Sequence, residues 1–292
     1  MDFLTDPWDF EFMRRALLAG VIVTLAASVV GTFVVLKGLA FLGDAVAHTQ
    51  LAGASIVFIA GGGTVLITLG AAAAAVVTAL GVAALTRSGQ IRQDTAIGIF
   101  FAGFFALGIL LISRERNFAL DLNSFLVGNI LGVVTADIIV MGVLTAVVLL
   151  LTAFFYTELR FVAYDPEMAA ASGVPVRLVQ TGLLVLVALA AVVAFRLVGV
   201  VLALAMLVAP AAAASLMARN IPRIMLGSVA FGIVATVVGL HASFHADVAA
   251  GPAIVLSAVG LFTLAYLLSP LGLRRGSSRS LLPRWRRRGP VR

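Results

Sequence analysis

Two ionisable side chains stand four residues apart at the head of a long uncharged stretch. Asp44 is followed by His48, and no further Asp, Glu, Lys or Arg occurs before Arg87. On a helix, this spacing places a carboxylate and an imidazole on one face, where both could bind the same small cation. Because ionisable groups are costly to desolvate among apolar residues, the pair predicts a pathway for a charged solute. A packed, hydrogen-bonded His48 that joins two helices is the competing interpretation, and the residues alone leave both open.

The other two histidines of the chain repeat this spacing nearer its end. His241 and His245 are followed by Asp247, and the three side chains could together receive a metal ion. They could equally lie at the water interface and contact only solvent or lipid headgroups. Nitrogen and oxygen donors in a chain without cysteine favour a borderline divalent metal such as zinc or manganese. The candidate metal-binding residues are therefore Asp44, His48, His241, His245 and Asp247.

Composition indicates the class of protein that must position these residues. Hydrophobic residues make up 62% of the 292 residues and charged residues 11%, and a soluble domain could not keep so much apolar surface out of water. Crossing ~30 Å of hydrocarbon takes ~20 helical residues. Uncharged windows of about this length predict an all-α bundle of nine transmembrane spans, at residues 16–36, 45–60, 64–86, 95–113, 138–157, 178–195, 197–218, 224–243 and 250–270.

Two short segments complete the predicted span pattern. Residues 122–136 are uncharged, but they are few for a span and include Asn123, Ser124 and Asn129. A re-entrant or interfacial helix is therefore predicted there. The second and third spans are separated by the glycines at 61–63, whose missing side chains permit a tight reversal.

Basic residues predict the orientation of the bundle. Eight of the twenty lie after Leu273, which predicts a cytoplasmic C-terminus. With nine spans, fifteen basic residues lie inside, five lie outside, and the N-terminus is external. Acidic residues near the N-terminus, where a signal peptide would be basic, argue against a removable signal. The predicted organisation is an external segment at residues 1–13, a transmembrane domain at 14–272, and a disordered basic cytoplasmic tail at 273–292.

This orientation places Asp44 close to the cytoplasmic end of its span. We expect the loop at residues 37–43 to dip into the bundle and carry the site deeper. Gly38 and Gly43 would permit the turn.

The polar segment at residues 158–177 contains the start and stop signals of a short helix. Asp165 is a suitable N-cap, Pro166 suits the first helical position, and Gly173 suits the end. Glu167 complements the helix dipole. As a bare pattern, this is an ordinary cytoplasmic loop between two spans.

Five motifs, in this order along the chain, resemble the permease subunits of the zinc and manganese uptake branch of ABC transporters. One motif carries Asp44 and His48, and the capped segment resembles the coupling helix of ABC permeases. The similarity covers roughly residues 12–272, and five ordered motifs are far more specific than one. The motifs lie at residues 41–53, 121–132, 165–174, 204–214 and 239–256.

This resemblance implies the permease of an ATP-driven importer of a divalent metal, with zinc as the expected cargo and no cofactor beyond the transported ion. It implies a homodimer in the bacterial cytoplasmic (inner) membrane, two cytoplasmic ABC ATPase subunits, and a periplasmic or lipid-anchored metal-binding protein. The expected fold resembles the vitamin B12 and siderophore importer permeases without their first span. Asp44 and His48 match the family's metal-contacting positions, and Asp247 matches an acidic position near the outer mouth. The residues expected to couple to the ATPase are Asp165, Pro166, Glu167, Ala170 and Gly173.

Two other classes of protein compete with this interpretation. A secondary, proton-coupled metal transporter would use Asp44 and Asp247 as proton sites, but no inverted repeat of the Asp44 motif is visible. An intramembrane metalloprotease is disfavoured because the chain has no His-Glu-x-x-His. No Gly-x-x-x-x-Gly-Lys-Ser/Thr phosphate loop occurs, so the chain is expected not to be an enzyme and to rely on a separate ATPase. Its basic tail is expected to lie near anionic lipid and not to bind nucleic acid.

Overall fold

The computed structural model describes residues 6–113 and 130–269, and every regular element within those ranges is helical. A 3₁₀ turn at Asp6–Asp9 precedes the first long helix. The helices are α1 (Glu11–Lys37), α2 (Ala40–Ile59), α3 (Thr64–Thr86), α4 (Gln93–Ile112), α5 (Thr135–Phe154), α6 (Tyr156–Tyr164), α7 (Pro166–Ala171), α8 (Val176–Val198), α9 (Val200–Met217), α10 (Ile221–Ala246) and α11 (Ala250–Leu268).

Eight of the described helices are long and apolar enough to cross a bilayer, and α9 is a shorter apolar helix. Together they overlap the nine predicted windows, which confirms the all-α, polytopic bundle. The spans are visible in the sequence because, in hydrocarbon, a helix must satisfy its own backbone groups. α1 begins at Glu11, inside the segment 1–13 that the charge pattern assigns to the exterior. The predicted tail at 273–292 lies outside the described residues.

The central helix of the bundle is α1, which packs against α5, α8, α9 and α10. A second group forms around α2, which packs against α3, α4, α8 and α9. Small residues bring these helices together. At Gly31 of α1, a Cβ atom would overlap the carbonyl oxygen of Leu207 in α9. Close backbone approach of this kind replaces the hydrophobic driving force that helices lack in lipid.

The helix ends gather at two opposite ends of the bundle. α1 turns into α2 at Gly38, whose φ of 67° is the left-handed conformation that glycine tolerates. One end contains Lys37 and the start of α8, because Lys37 and Arg177 line one cleft; we call it the Lys37 end. At the other, the Trp8 end, the ring of Trp8 lies 5.4 Å from that of His241 near the end of α10. The predicted orientation, with the Lys37 end in the cytoplasm, stays a prediction.

The chain between α5 and α8 contains two short helices, where the sequence pattern predicts one. α6 follows α5 after a break at Phe155, and it buries Leu159 and Val162 three residues apart on one face. No glycine or proline marks this break, so the sequence contains no local signal that distinguishes α6 from a loop. The second helix, α7, begins at Pro166 as predicted.

The predicted interfacial helix at residues 122–136 lies largely outside the described residues. Its described end differs from the prediction. Ile130–Gly132 form a 3₁₀ turn, and Thr135 already begins the span α5. Thr135 and Ala136 therefore belong to a transmembrane helix.

Candidate metal pathway

Asp44 and His48 lie on one face of α2, as their spacing predicts. The His48 Nδ1 atom is 3.7 Å from Asp44 Oδ1 and 2.9 Å from the Asp44 backbone carbonyl oxygen. At ~1.5 Å rise per residue, His48 lies roughly 12 Å along α2 from Ala40. The His48 side chain is 21% exposed and that of Asp44 is 39% exposed. The side chains of the pair are therefore partly exposed, although most neighbouring residues of α2 are buried.

The hydrogen bond of His48 determines which ring nitrogen is available to a cation. When Nδ1 carries the proton, it donates to the Asp44 carbonyl oxygen and leaves the Nε2 lone pair for a ligand. Metal-bound histidines commonly have this arrangement, with one ring nitrogen donating and the other coordinating. The Asp44 carboxylate supplies an oxygen donor on the same helix face, on the Nδ1 side of the ring. Two donors of this kind can hold a divalent ion and still release it.

Two phenylalanines of α4 hold the imidazole ring from the side. The rings of Phe101 and Phe105 each lie 5.1 Å from the His48 ring and nearly perpendicular to it. They also stack on each other, at 5.7 Å and an interplanar angle of 8°. These edge-to-face contacts favour the observed orientation of the ring. Sequence reasoning missed both residues, although their spacing of four on an apolar helix is the available signal.

A glycine on α4 allows these contacts by bringing α4 close to α2. At Gly108, a Cβ atom would lie 2.8 Å from Leu51 Cγ and 2.9 Å from the backbone nitrogen of Ala52. Both distances are shorter than an ordinary van der Waals contact. The absence of a side chain at Gly108 therefore sets the separation between α2 and α4, one helical turn from Phe105.

The depth of the pair is set by a helix, and the expectation of a dipping loop at residues 37–43 is wrong. α2 begins at Ala40, so Gly43 is helical and only Gly38 supplies a turn. Gly43 instead provides space for α9, because a Cβ there would lie 2.6 Å from Leu207 Cδ2. Asp44 thus enters the bundle on a packed helix.

The second predicted cluster lies at the Trp8 end of α10. The rings of His241 and His245 are 5.6 Å apart, and Phe244 lies 5.3 Å from His245. Asp247 is exposed and caps α10 in a left-handed conformation with φ 51°. Within residues 6–113 and 130–269, no three His, Asp or Glu side chains form a group that could hold a metal ion. Asp247 does not join the histidines in such a group, and the metal-binding role of both clusters stays a prediction.

The capped segment has the local structure that its sequence predicts. The Asp165 Oδ1 atom accepts a hydrogen bond of 2.9 Å from the backbone N–H of Met168. After the helix, Gly173 has φ 83°, and the Val174 N–H donates to the Ala169 carbonyl oxygen at 3.0 Å. Ala169 is the buried residue of α7, and Met168 is 56% exposed. α7 therefore presents most of its surface outward, between α6 and α8.

The described residues form a bundle of eight long apolar helices and one shorter one, with a partly exposed carboxylate–imidazole pair on α2. This arrangement is typical of a membrane permease. The model of the ABC 3 transport family matches residues 9–269, and the chain belongs to this family. This confirms the resemblance predicted from the five motifs.

Individual relatives match over nearly their full length. The manganese transport system membrane protein MntC of Halalkalibacterium halodurans is 37% identical over 268 residues, which cover 92% of this chain and 91% of the relative. The chelated iron transport system membrane protein YfeD of Yersinia pestis is 31% identical over 264 residues, or 90% and 88% of the two chains. A solved structure, PsaBC from Streptococcus pneumoniae in complex with Fab, superposes with a TM-score of 0.82. It is 34% identical and covers 93% of this chain and 97% of that chain.

Proposed function

We propose that this chain is the membrane-spanning permease of an ATP-driven importer of a divalent metal ion. The observation that carries the proposal is the Asp44–His48 pair, with 3.7 Å between Oδ1 and Nδ1 on an accessible face of α2. Membership of the ABC 3 transport family and the names of its metal-transporting relatives support it. A proton-coupled transporter is not favoured, because the family is one of ABC transporters.

The chemistry required of such a site is weak, reversible binding. A structural metal site closes four ligands around the ion, whereas a transport site must release it. Asp44 and His48 supply two donors, and a homodimer of this chain would supply two such pairs to one pathway. The Phe101 and Phe105 rings keep the imidazole in place while the ion passes.

For the transported ion, we propose manganese as the first cargo to test and zinc as the second. The relatives described above are named for manganese and iron. Carboxylate oxygen is a preferred ligand of manganese, whereas imidazole is a preferred ligand of zinc and iron. The expectation of zinc rests on His241 and His245, whose rings pack among Trp8 and Phe244. We keep these histidines and Asp247 as the proposed receiving site at the outer mouth.

The outward surface of α7 is the proposed contact with a separate ABC ATPase. Glu167 and Ala170 are exposed on this helix, and Asp165 and Gly173 define its two ends. This role requires the Lys37 end to face the cytoplasm of the bacterial inner membrane and the Trp8 end to face a metal-binding protein outside. Movement of α7 with the ATPase would then shift α8, against which it packs.

The test is transport by the assembled importer, reconstituted with its ATPase and metal-binding protein. Asp44→Asn keeps size and hydrogen bonding but removes the charge, and His48→Gln removes the imidazole while keeping a polar group. We expect each variant to lose most manganese or zinc uptake, because a two-donor site has no spare ligand. The matched control is Asp94→Asn, which removes an exposed carboxylate paired with Arg92 at 3.9 Å. Parent-rate uptake by both site variants would assign the pair a structural role.

A further inference from the structure

A polar cleft of about 330 Å³ opens between α1, α3, α4 and α8 at the Lys37 end. Three cationic side chains line it, and they come from three different helices or their caps: Lys37, Arg87 and Arg177. The amides of Gln93 and Gln180 add uncharged hydrogen-bond donors to the lining. A general excess of basic residues at one membrane face explains their number. It does not explain their convergence on one cleft.

Among the residues that the structure describes, no carboxylate pairs with the cations of this cleft. The described part of its lining contains no carboxylate. Ion pairs within residues 6–113 and 130–269 include Arg15 with Glu11, His48 with Asp44, and Arg92 with Asp94. None of them involves a cation of the cleft. Three cations at one cleft attract an anion, and the exposure of Arg87 and Arg177 lets one reach them from outside the chain.

The position and lining of the cleft favour one kind of anion. Lys37 ends α1, Arg87 caps α3, Gln93 begins α4 and Arg177 lies in the first turn of α8. Helix ends of transmembrane spans lie at the depth of the lipid headgroups. The deeper lining is apolar and includes Leu183 and Leu184. A phosphate group with an attached apolar body fits this combination better than a free anion.

We infer that the cleft is a phosphate-binding site for the headgroup of an anionic phospholipid. Arg87 and Arg177 would bind the phosphate oxygens, since guanidinium groups donate paired hydrogen bonds to phosphate. Lys37 would add a third charge from α1. Bound lipid would thereby connect α1, α3 and α8, and α8 is the helix that follows α7. The inference rests on the cleft and not on the proposed metal transport.

The experiment measures lipid retention by the purified full-length permease, alone and with its ATPase. Native mass spectrometry would follow titration with phosphatidylglycerol, with phosphatidylcholine, and with inorganic phosphate. The test variant is the double substitution Arg87→Gln with Arg177→Gln. Its matched control is Arg219→Gln with Arg223→Gln, which removes the same charge from two exposed arginines outside the cleft. The double variant Arg87→Lys with Arg177→Lys keeps both charges and tests whether the fold tolerates substitution at these positions.

We expect the cleft variant to bind phosphatidylglycerol about tenfold to thirtyfold more weakly, from the contribution of two basic residues near a membrane surface. The control variant should change far less. The lysine variant should fall between the control and the cleft variant, because it keeps the charge but loses the paired hydrogen bonds. Phosphatidylcholine should bind equally to all. If inorganic phosphate displaces phosphatidylglycerol at a similar concentration, the cleft binds a soluble phosphate ion and not a lipid headgroup. Equal losses in the cleft and control variants would overturn the inference. Unchanged lipid binding with weakened ATPase retention would also overturn it and make the cleft an ATPase contact.

Discussion

The separation between α2 and α4 can be tested at a single atom, by adding one methyl group at Gly108. The Cβ of Gly108→Ala would lie 2.8 Å from Leu51 Cγ and 2.9 Å from Ala52 N. Since ordinary carbon contacts are about 3.5–4.0 Å, the helices must separate by roughly 0.6–1.2 Å. A change of side-chain rotamer cannot relieve the contact with Ala52, because the crowded atom belongs to the backbone.

The expected magnitude follows from two opposing terms. Overpacking of this kind costs about 1–3 kcal/mol. Replacement of glycine by alanine inside a helix contributes about 1 kcal/mol in the opposite direction. Gly103→Ala isolates the second term, because Gly103 lies on the same helix and has nothing within 4 Å of its Cβ position. The two variants should therefore differ by about 1–3 kcal/mol, with Gly108→Ala the less stable.

The assay is thermal unfolding of the purified permease in one detergent at one scan rate, followed by metal uptake in proteoliposomes. A difference of 1–3 kcal/mol corresponds to a lower apparent Tm by about 2–4 °C for each kcal/mol. Uptake should also fall in Gly108→Ala, because Phe101 and Phe105 would move away from the His48 ring. If both alanine variants unfold at the same temperature and transport equally, close packing at Gly108 does not position the site.

Three further outcomes are expected. The Gln50 side chain is 0% exposed and has no hydrogen-bond partner among the described residues. Thermal unfolding should therefore show Gln50→Leu to be more stable by about 1–3 kcal/mol. A destabilised variant would show that the amide has a partner. Asp165→Ala removes the α7 cap, worth ~1 kcal/mol, and should reduce metal-stimulated ATP hydrolysis, whereas Asp165→Asn should retain it; equal hydrolysis by both would refute a coupling role for the cap. For topology, Thr5→Cys should react with an impermeant maleimide from outside and Ser280→Cys only after the membrane is opened, on a chain that has no other cysteine. The reverse labelling would refute the predicted orientation.

Local sequence determines the features that form within a single helix. The spans follow from hydropathy, because each transmembrane helix bonds its own backbone. The cap of α7 follows from Asp165 and Pro166, which act within one helical turn. The pairing of Asp44 and His48 also needs only the helical repeat. Each of these depends on residues close together in the chain.

Tertiary structure decides which helices meet, and sequence periodicity does not contain that information. The contact of His48 with Phe101 and Phe105 joins residues more than fifty positions apart, on two helices that approach closely at Gly108. Between apolar helices in lipid, the partner is selected by shape at small residues, since apolar surface matches every neighbour equally.

The same distinction between local sequence and tertiary packing applies to three basic residues. In the sequence, Lys37, Arg87 and Arg177 are three separate charges that indicate an orientation. In the structure, packing of α8 against α1 and α3 brings all three to one cleft. The sequence by itself therefore determined the spans, the cap of α7 and the pairing of Asp44 with His48 on one helix face. Only the folded bundle decided which side chains share a site, because that depends on contacts between distant helices.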